Sequence, residues 1–340
     1  MVTISSLQLY EESATLEHVK SLAFNRTSTS TGETEAVNYI EKNLIESNLK
    51  SQIEHFEWQG PIGILMRTCY IIIFITLLFF RLFLLIIVYF VIKNSIAKLR
   101  KMSFIGKDES KNIYTQINAK NKTSKPPIVI ISAHYDSISA NLPYKFQVII
   151  FVIYRLIIVF YLLAMVTFTT LFILDTIKII SISNFVTLLI IFTSIGAVFL
   201  SIPLLYIVFI EKPSSGSIDN ASGVAISIEL AKLLNKNPLE NMDVLILFTG
   251  AEEWGFKGSK NFSTRHFITL KQKNDLDKSF NINIDMVGSY IGLFDKSGLF
   301  IKRKLNYNLN DILETTAKQL NIPIVRFNKI IKPKSDYKIF

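Results

Sequence analysis

Cysteine is almost absent. Cys69 stands alone in 340 residues, so no intrachain disulfide can form and no metal site can be built on thiolates. Histidine is scarce too, with only His18, His55, His134 and His266. The opening "MVTISSLQLYEES" lacks a basic segment followed by an apolar core, so no cleavable signal peptide is expected. Acidic residues are outnumbered by basic ones, 27 against 37, for a formal charge of +10. The basic residues are scattered, and no basic motif with interleaved aromatics is present, which excludes nucleic acid as a partner.

Apolar sequence, by contrast, is abundant: half of the chain is hydrophobic, and most of the excess lies in three stretches, 62–92, 146–174 and 185–210. A bilayer-spanning helix needs about 20 apolar residues. Residues 156–174 and 185–210 therefore read as a transmembrane hairpin. Residues 68–92 contain no glycine or proline to mark a turn, yet a single span would hold Arg81 at its centre, at a cost of about 2.5–3.5 kcal/mol. The alternative is a tight hairpin, 64–80 out and 82–97 back, with Arg81 at the tip. Basic residues flank the stretches (Lys93, Lys98, Arg100, Lys101, Lys145, Arg155 and Lys212), which places the rest of the chain on the cytoplasmic side. The expectation is a multi-pass membrane protein with the lipid bilayer as a partner.

Outside these stretches, helical and strand patterns alternate. "GETEAVNYIEKNLIESN" has helical spacing, while "SQIEHFEW" and "NIYTQINA" alternate as strands do. "PPIVIISA" and "MDVLILFT" are continuous aliphatic runs, the mark of strands covered on both faces. Between them, "SGVAISIELAKLLNKN" carries an apolar stripe at Val224, Ile228, Ala231 and Leu234. The fold class is α/β, a three-layer sandwich with a mostly parallel central sheet, interrupted by transmembrane helices.

In such sheets ligands bind beyond the carboxyl ends of the strands. Here the strand ends deliver His134 and Asp136, Glu252 and Glu253, and Asp285, with Asp219 just ahead of the intervening helix. Taken singly, the two glutamates read as first-turn helix acids, Asp219 as an N-cap and His134 as a core histidine. Taken together, several acids at one strand edge would repel one another unless cations sat among them. Four Asn-x-Ser/Thr sequons, at Asn25, Asn121, Asn220 and Asn261, read as chance matches, since the third falls inside this cluster.

"AHYDS", "DNASGVA", "TGAEEWGFKGS" and "NIDMVGS", in this order, resemble metallopeptidase family 28, the co-catalytic zinc aminopeptidases. The resemblance runs from about Leu16 onward and omits the apolar stretches. It implies a zinc exopeptidase-like fold and hydrolysis of the N-terminal bond of a peptide substrate. It also implies two zinc ions: His134 and Asp285 on one, Asp219 bridging, and Glu253 on the second. Glu252 would be the general base, and Asp136 would orient His134.

The domain reading follows: 1–60 opens the peptidase domain, 61–100 is a membrane segment, 101–144 carries His134 and Asp136, 145–211 is the transmembrane hairpin, and 212–340 completes the domain. An insertion that leaves and re-enters one domain crosses an even number of times, which favours the hairpin at Arg81.

The pattern departs from the family at its end. Where the family has Ser-Asp-His, this chain reads "KSDYKIF" and stops, which gives the expectation of a C-terminal truncation. Tyr337 stands in the place of the last ligand and would have to ionise from a pKa near 10 to serve. A single bound zinc, a catalytically impaired scaffold and a single-zinc acyl transferase resembling the glutaminyl cyclases are the alternatives.

Overall fold

The structure, a computed structural model, describes residues 12–59, 107–121, 123–138, 214–288, 290–298, 301–329 and 335–340, together with residue 92 and part of the stretch 146–195. The chain divides into two compact units. One comprises Met1–Glu57, Glu109–Ile138 and Pro213–Phe340, and the other Trp58–Asp108 and Ser139–Lys212.

In the first unit the order is α1 (Glu12–Ser21), α2 (Thr31–Glu46), β1 (Gln52–Gln59), β2 (Lys107–Ile117), β3 (Ile128–His134), α3 (Ser222–Lys236), β4 (Asp243–Thr249), α4 (Lys257–Lys273) and β5 (Phe280–Asn283). The five strands form one sheet in the order β1-β2-β4-β3-β5. β3, β4 and β5 run parallel, whereas β2 is antiparallel to β4. The sheet is therefore mixed.

Every residue of β3 and β4 is buried, because helices cover both faces. Val129, Ile131, Ala133, Val244, Ile246 and Phe248 point to one side, into a core with Val37, Ile40 and Leu44 of α2 and Val224, Ile228 and Ala231 of α3. Their alternating neighbours Ile128, Ile130, Leu245 and Leu247 pack on the other side against Phe262 of α4. At about 1.5–3 kcal/mol for each large aliphatic side chain, this burial holds the strands, and so their ends, in place. α2 starts at a reciprocal cap: Ser30 Oγ accepts the Glu33 N–H at 3.2 Å, and Glu33 Oε2 accepts the Thr29 N–H at 2.5 Å.

Beyond Asp285, where the sequence reading assigned no strands, lie β6 (Ile291–Ser297), β7 (Arg303–Lys304), α5 (Tyr307–Gln319) and β8 (Ile324–Lys329). They form a separate three-stranded sheet in the order β7-β6-β8. Arg326 ties it to α5 through Asp311 at 2.5 Å and Glu314 at 2.6 Å.

The expectation of a multi-pass membrane protein is corrected here. Among the described residues no helix is long and apolar enough to cross a membrane. The longest helices with given bounds, α4 with 17 residues and α2 with 16, fall short of the length a bilayer needs and carry charges along their course. The stretches 62–92, 146–174 and 185–210, on which that expectation rested, lie for the most part outside the described residues.

Candidate metal centre

Three parallel strands end at one edge, and the register aligns them, with His134 opposite Thr249 and Ser132 opposite Asn283. Asp136 lies two residues past the end of β3, Glu252 and Glu253 three and four past β4, and Asp285 two past β5. Asp219 arrives from a tight turn, Ser217–Ala221, that leads directly into α3.

His134 is 2% exposed. Its Nε2 lies 3.2 Å from Asp219 Oδ1 and 3.4 Å from Asp285 Oδ1. One ligand atom from each of the three residues falls within 4.8 Å of the others. On the far side of the ring, Nδ1 is 3.1 Å from the Asp136 carbonyl and 3.5 Å from its carboxylate. With Nδ1–H donated to that carbonyl, Nε2 faces two carboxylates and must carry either a proton or a cation. Such an arrangement is short of positive charge. Asp285 Oδ1 and Glu253 Oε1 are also buried without a hydrogen-bond partner. Buried, unpaired carboxylate oxygens beside an imidazole nitrogen are the donor set of a zinc ion, and the residues present fit one.

The electrostatics agree. Burial pushes Glu252 up to about 10, with Asp336, Glu253 and Asp136 adding to the effect against His134. Burial and then Asp219 push Glu253 up to about 8. Burial favours a neutral His134, but Asp136, Asp219 and Asp285 outweigh it and hold the ring well above its usual value. Burial also raises Asp285, yet His134 and Ser335 bring it below the ordinary range.

A pH dependence follows for the metal-free protein. Between about pH 5 and 8 the folded chain keeps protons on Glu252 and Glu253 that the unfolded chain has released, joined above about pH 6.5 by His134 and continued towards pH 10 by Glu252, so each rise in pH favours unfolding. Its melting temperature is expected to fall by several degrees across that window, and saturating zinc is expected to flatten the slope. Thermal melts at stepped pH, with and without zinc, check this. A metal-free stability that rises with pH would contradict it.

Several positioning groups were not evident from sequence. The Asp136 carboxylate accepts the N–H groups of Glu252 at 3.1 Å and Glu253 at 3.2 Å, so it pins the glutamate turn as well as facing His134. Asn220 straps the Asp219 turn to the Asp285 loop. Its Nδ2 donates to the Ile284 carbonyl at 2.9 Å, and its Oδ1 accepts from Gly223 at 3.0 Å and Met286 at 3.2 Å. Gly223 leaves no space for a side chain, since a Cβ there would lie 2.4 Å from Asn220 Oδ1 and 2.5 Å from the Ile284 carbonyl oxygen. Asp336 is fully buried and bonded to Thr249 at the end of β4. "DNASG" and "KSDY" contain these residues, but nothing in their spacing marks them as partners of distant loops.

Glu253 lies outside the three-ligand group, and Glu252 does too, which leaves the latter free of the first ion. Tyr337 is half-buried, and burial raises its phenol above the usual value, so the phenolate that a metal would need is disfavoured.

Comparison with known proteins reaches the same segment from another direction. Residues 201–340 match the model of Peptidase family M28. The matched segment holds Asp219, Glu252, Glu253, Asp285 and Tyr337, while His134 and Asp136 precede it. Aminopeptidase YwaD of Bacillus subtilis (strain 168) is 36% identical over 77 residues, a stretch that spans 22% of this chain and 16% of the relative. Among solved structures, a leucine aminopeptidase precursor from Bacteroides thetaiotaomicron VPI-5482 is similar with a TM-score of 0.52 at 15% identity, over 97% of this chain and 80% of that one. A glutaminyl cyclase from Bacteroides thetaiotaomicron, bound to N-acetylhistamine, gives the same four values. A Tannerella forsythia glutaminyl cyclase follows, with a TM-score of 0.50 at 13% identity over 97% and 80% of the two chains. At these identities the likeness is one of fold.

Proposed function

We propose that this chain is a zinc-dependent peptidase that releases N-terminal residues from short peptides. The observation that carries the reading is the convergence of His134 Nε2, Asp219 Oδ1 and Asp285 Oδ1 at the edge where three parallel strands end. In this reading those three residues hold one ion. Glu253 and Asp219 offer oxygens to a second, for which Tyr337 is a poor last ligand. When bound, a divalent cation polarises the scissile carbonyl and lowers the pKa of water.

The chain's own groups supply the proton transfers. Burial and the neighbouring carboxylates keep Glu252 protonated in the metal-free chain, and the charge of a bound cation would favour its ionised form, the form a general base requires. Glu252 takes the proton of the attacking water and hands it to the leaving amine. Asp136 fixes the ring of His134 on one side and the Glu252–Glu253 turn on the other, so the base and the ligand keep one spacing.

One observation favours a second reading, the cyclisation of N-terminal glutamine at a single ion: among the described residues, only one group of three ligand atoms is complete. Incubating the purified full chain with zinc and unblocked tripeptides separates the two. Released N-terminal amino acids, lost on chelation and absent with N-acetylated peptides, are expected. Ammonia and a cyclised product from glutaminyl peptides, with no release, would replace the first reading by the second.

A further inference from the structure

Arg26 is 0% exposed, and its guanidinium is satisfied by main-chain carbonyls rather than by carboxylates. Nε donates to Tyr135 at 2.8 Å, Nη1 to Leu22, to Phe24 at 3.0 Å and to Ser215 at 2.8 Å, and Nη2 to Gly216 at 3.0 Å. The backbone of Arg26 joins in, with its N–H on Ser137 Oγ at 2.9 Å and its carbonyl accepting from the Ser137 N–H at 3.3 Å. A buried cation without an ion pair is expensive to keep. Burial lowers the guanidinium to about 10, against the pull of Asp136 and Asp219, so it stays charged at neutral pH.

The identity of the clamped segments gives that expense a purpose. Tyr135 separates His134 from Asp136, and Gly216 stands three residues before Asp219. Between these two segments the chain leaves its unit after Ile138 and returns at Pro213. Both ends of that excursion therefore rest on one guanidinium, next to the two ligands they carry. Gly216 permits the approach: its φ is +56°, and a Cβ there would lie 2.6 Å from Ser137 Cβ and 2.7 Å from Arg26 Nη2.

We propose that Arg26 is a positioning residue of the metal centre, which clamps the segments bearing His134 and Asp219 and so sets the affinity for the cation while touching neither cation nor substrate. The inference rests on the zinc reading given above. Lysine cannot replace the clamp, because a single ammonium cannot span carbonyls on three segments.

The zinc dissociation constant of the full chain, measured by competition with a chromophoric chelator, tests the proposal. Arg26→Lys and Arg26→Gln are expected to weaken zinc binding at least tenfold, the scale of a lost orienting partner, while turnover of Arg26→Lys recovers at saturating zinc. Asp243→Asn is the control. Asp243 opens β4 at the opposite end of the sheet and accepts the Ala119 N–H at 2.9 Å, so this variant is expected to melt earlier yet bind zinc as the unsubstituted chain does. Gly216→Ala approaches the clamp from its other side and carries the test should the Arg26 variants not fold; a tenfold loss is again expected. Unchanged affinity in a folded clamp variant, or an equal loss in Asp243→Asn, overturns the inference alone. Absence of zinc binding by the unsubstituted chain overturns the metal reading and the inference with it.

Discussion

Glu252→Gln is expected to lower turnover by about 10²–10⁴-fold while zinc affinity stays within a few-fold of the unsubstituted chain. Glutamine keeps the shape of the side chain and the backbone N–H bond to Asp136, but it cannot accept a proton. Because Glu252 lies outside the three-ligand group, its loss should leave the cation in place. The same change removes an acid from a crowd that includes Asp136, Glu253 and Asp336, so the metal-free variant should also melt at a higher temperature near pH 8. Tripeptide turnover, zinc affinity and thermal melts of the two proteins, taken together, check this. Turnover preserved in the variant would remove Glu252 from the mechanism.

Asp219→Ala should reduce zinc affinity by more than about 100-fold, beyond the 10–100-fold typical of losing a supporting partner. Asp219 brings the carboxylate oxygen closest to His134 Nε2, at 3.2 Å, and without it the group falls to two ligands. The turn itself should survive, because Asn220 still bonds Ile284, Gly223 and Met286. Elemental analysis of both purified proteins gives the comparison. About one zinc or more is expected for each unsubstituted chain and close to none in the variant, and equal content in both would refute the assignment.

Much of the site was legible because parallel strands deliver their last residues to one edge. "PPIVIISA" and "MDVLILFT" are aliphatic without alternation, since helices cover both faces of β3 and β4. Once those strands are placed, His134, Asp136, Glu252 and Glu253 must converge. Arg26 was not legible. In "AFNRTSTST" a lone arginine reads as solvated loop, and its burial depends on carbonyls 109 and 190 residues away. Asn220 and Asp336 escaped for the same reason, as their partners come from other loops. The second sheet was missed because β6 and β8 are only partly buried and lack a continuous aliphatic run, with a glycine, an aspartate and a lysine in one and an arginine in the other. The membrane expectation drew on run length, which is a property of composition. Among the described residues the helices it needed are not found.

The most direct test of the metal centre is anomalous diffraction at the zinc edge from a crystal of the full chain grown with zinc. A peak about 2.0–2.2 Å from His134 Nε2 and from carboxylate oxygens of Asp219 and Asp285 is the predicted result. A peak elsewhere, or none at saturating zinc, would contradict it.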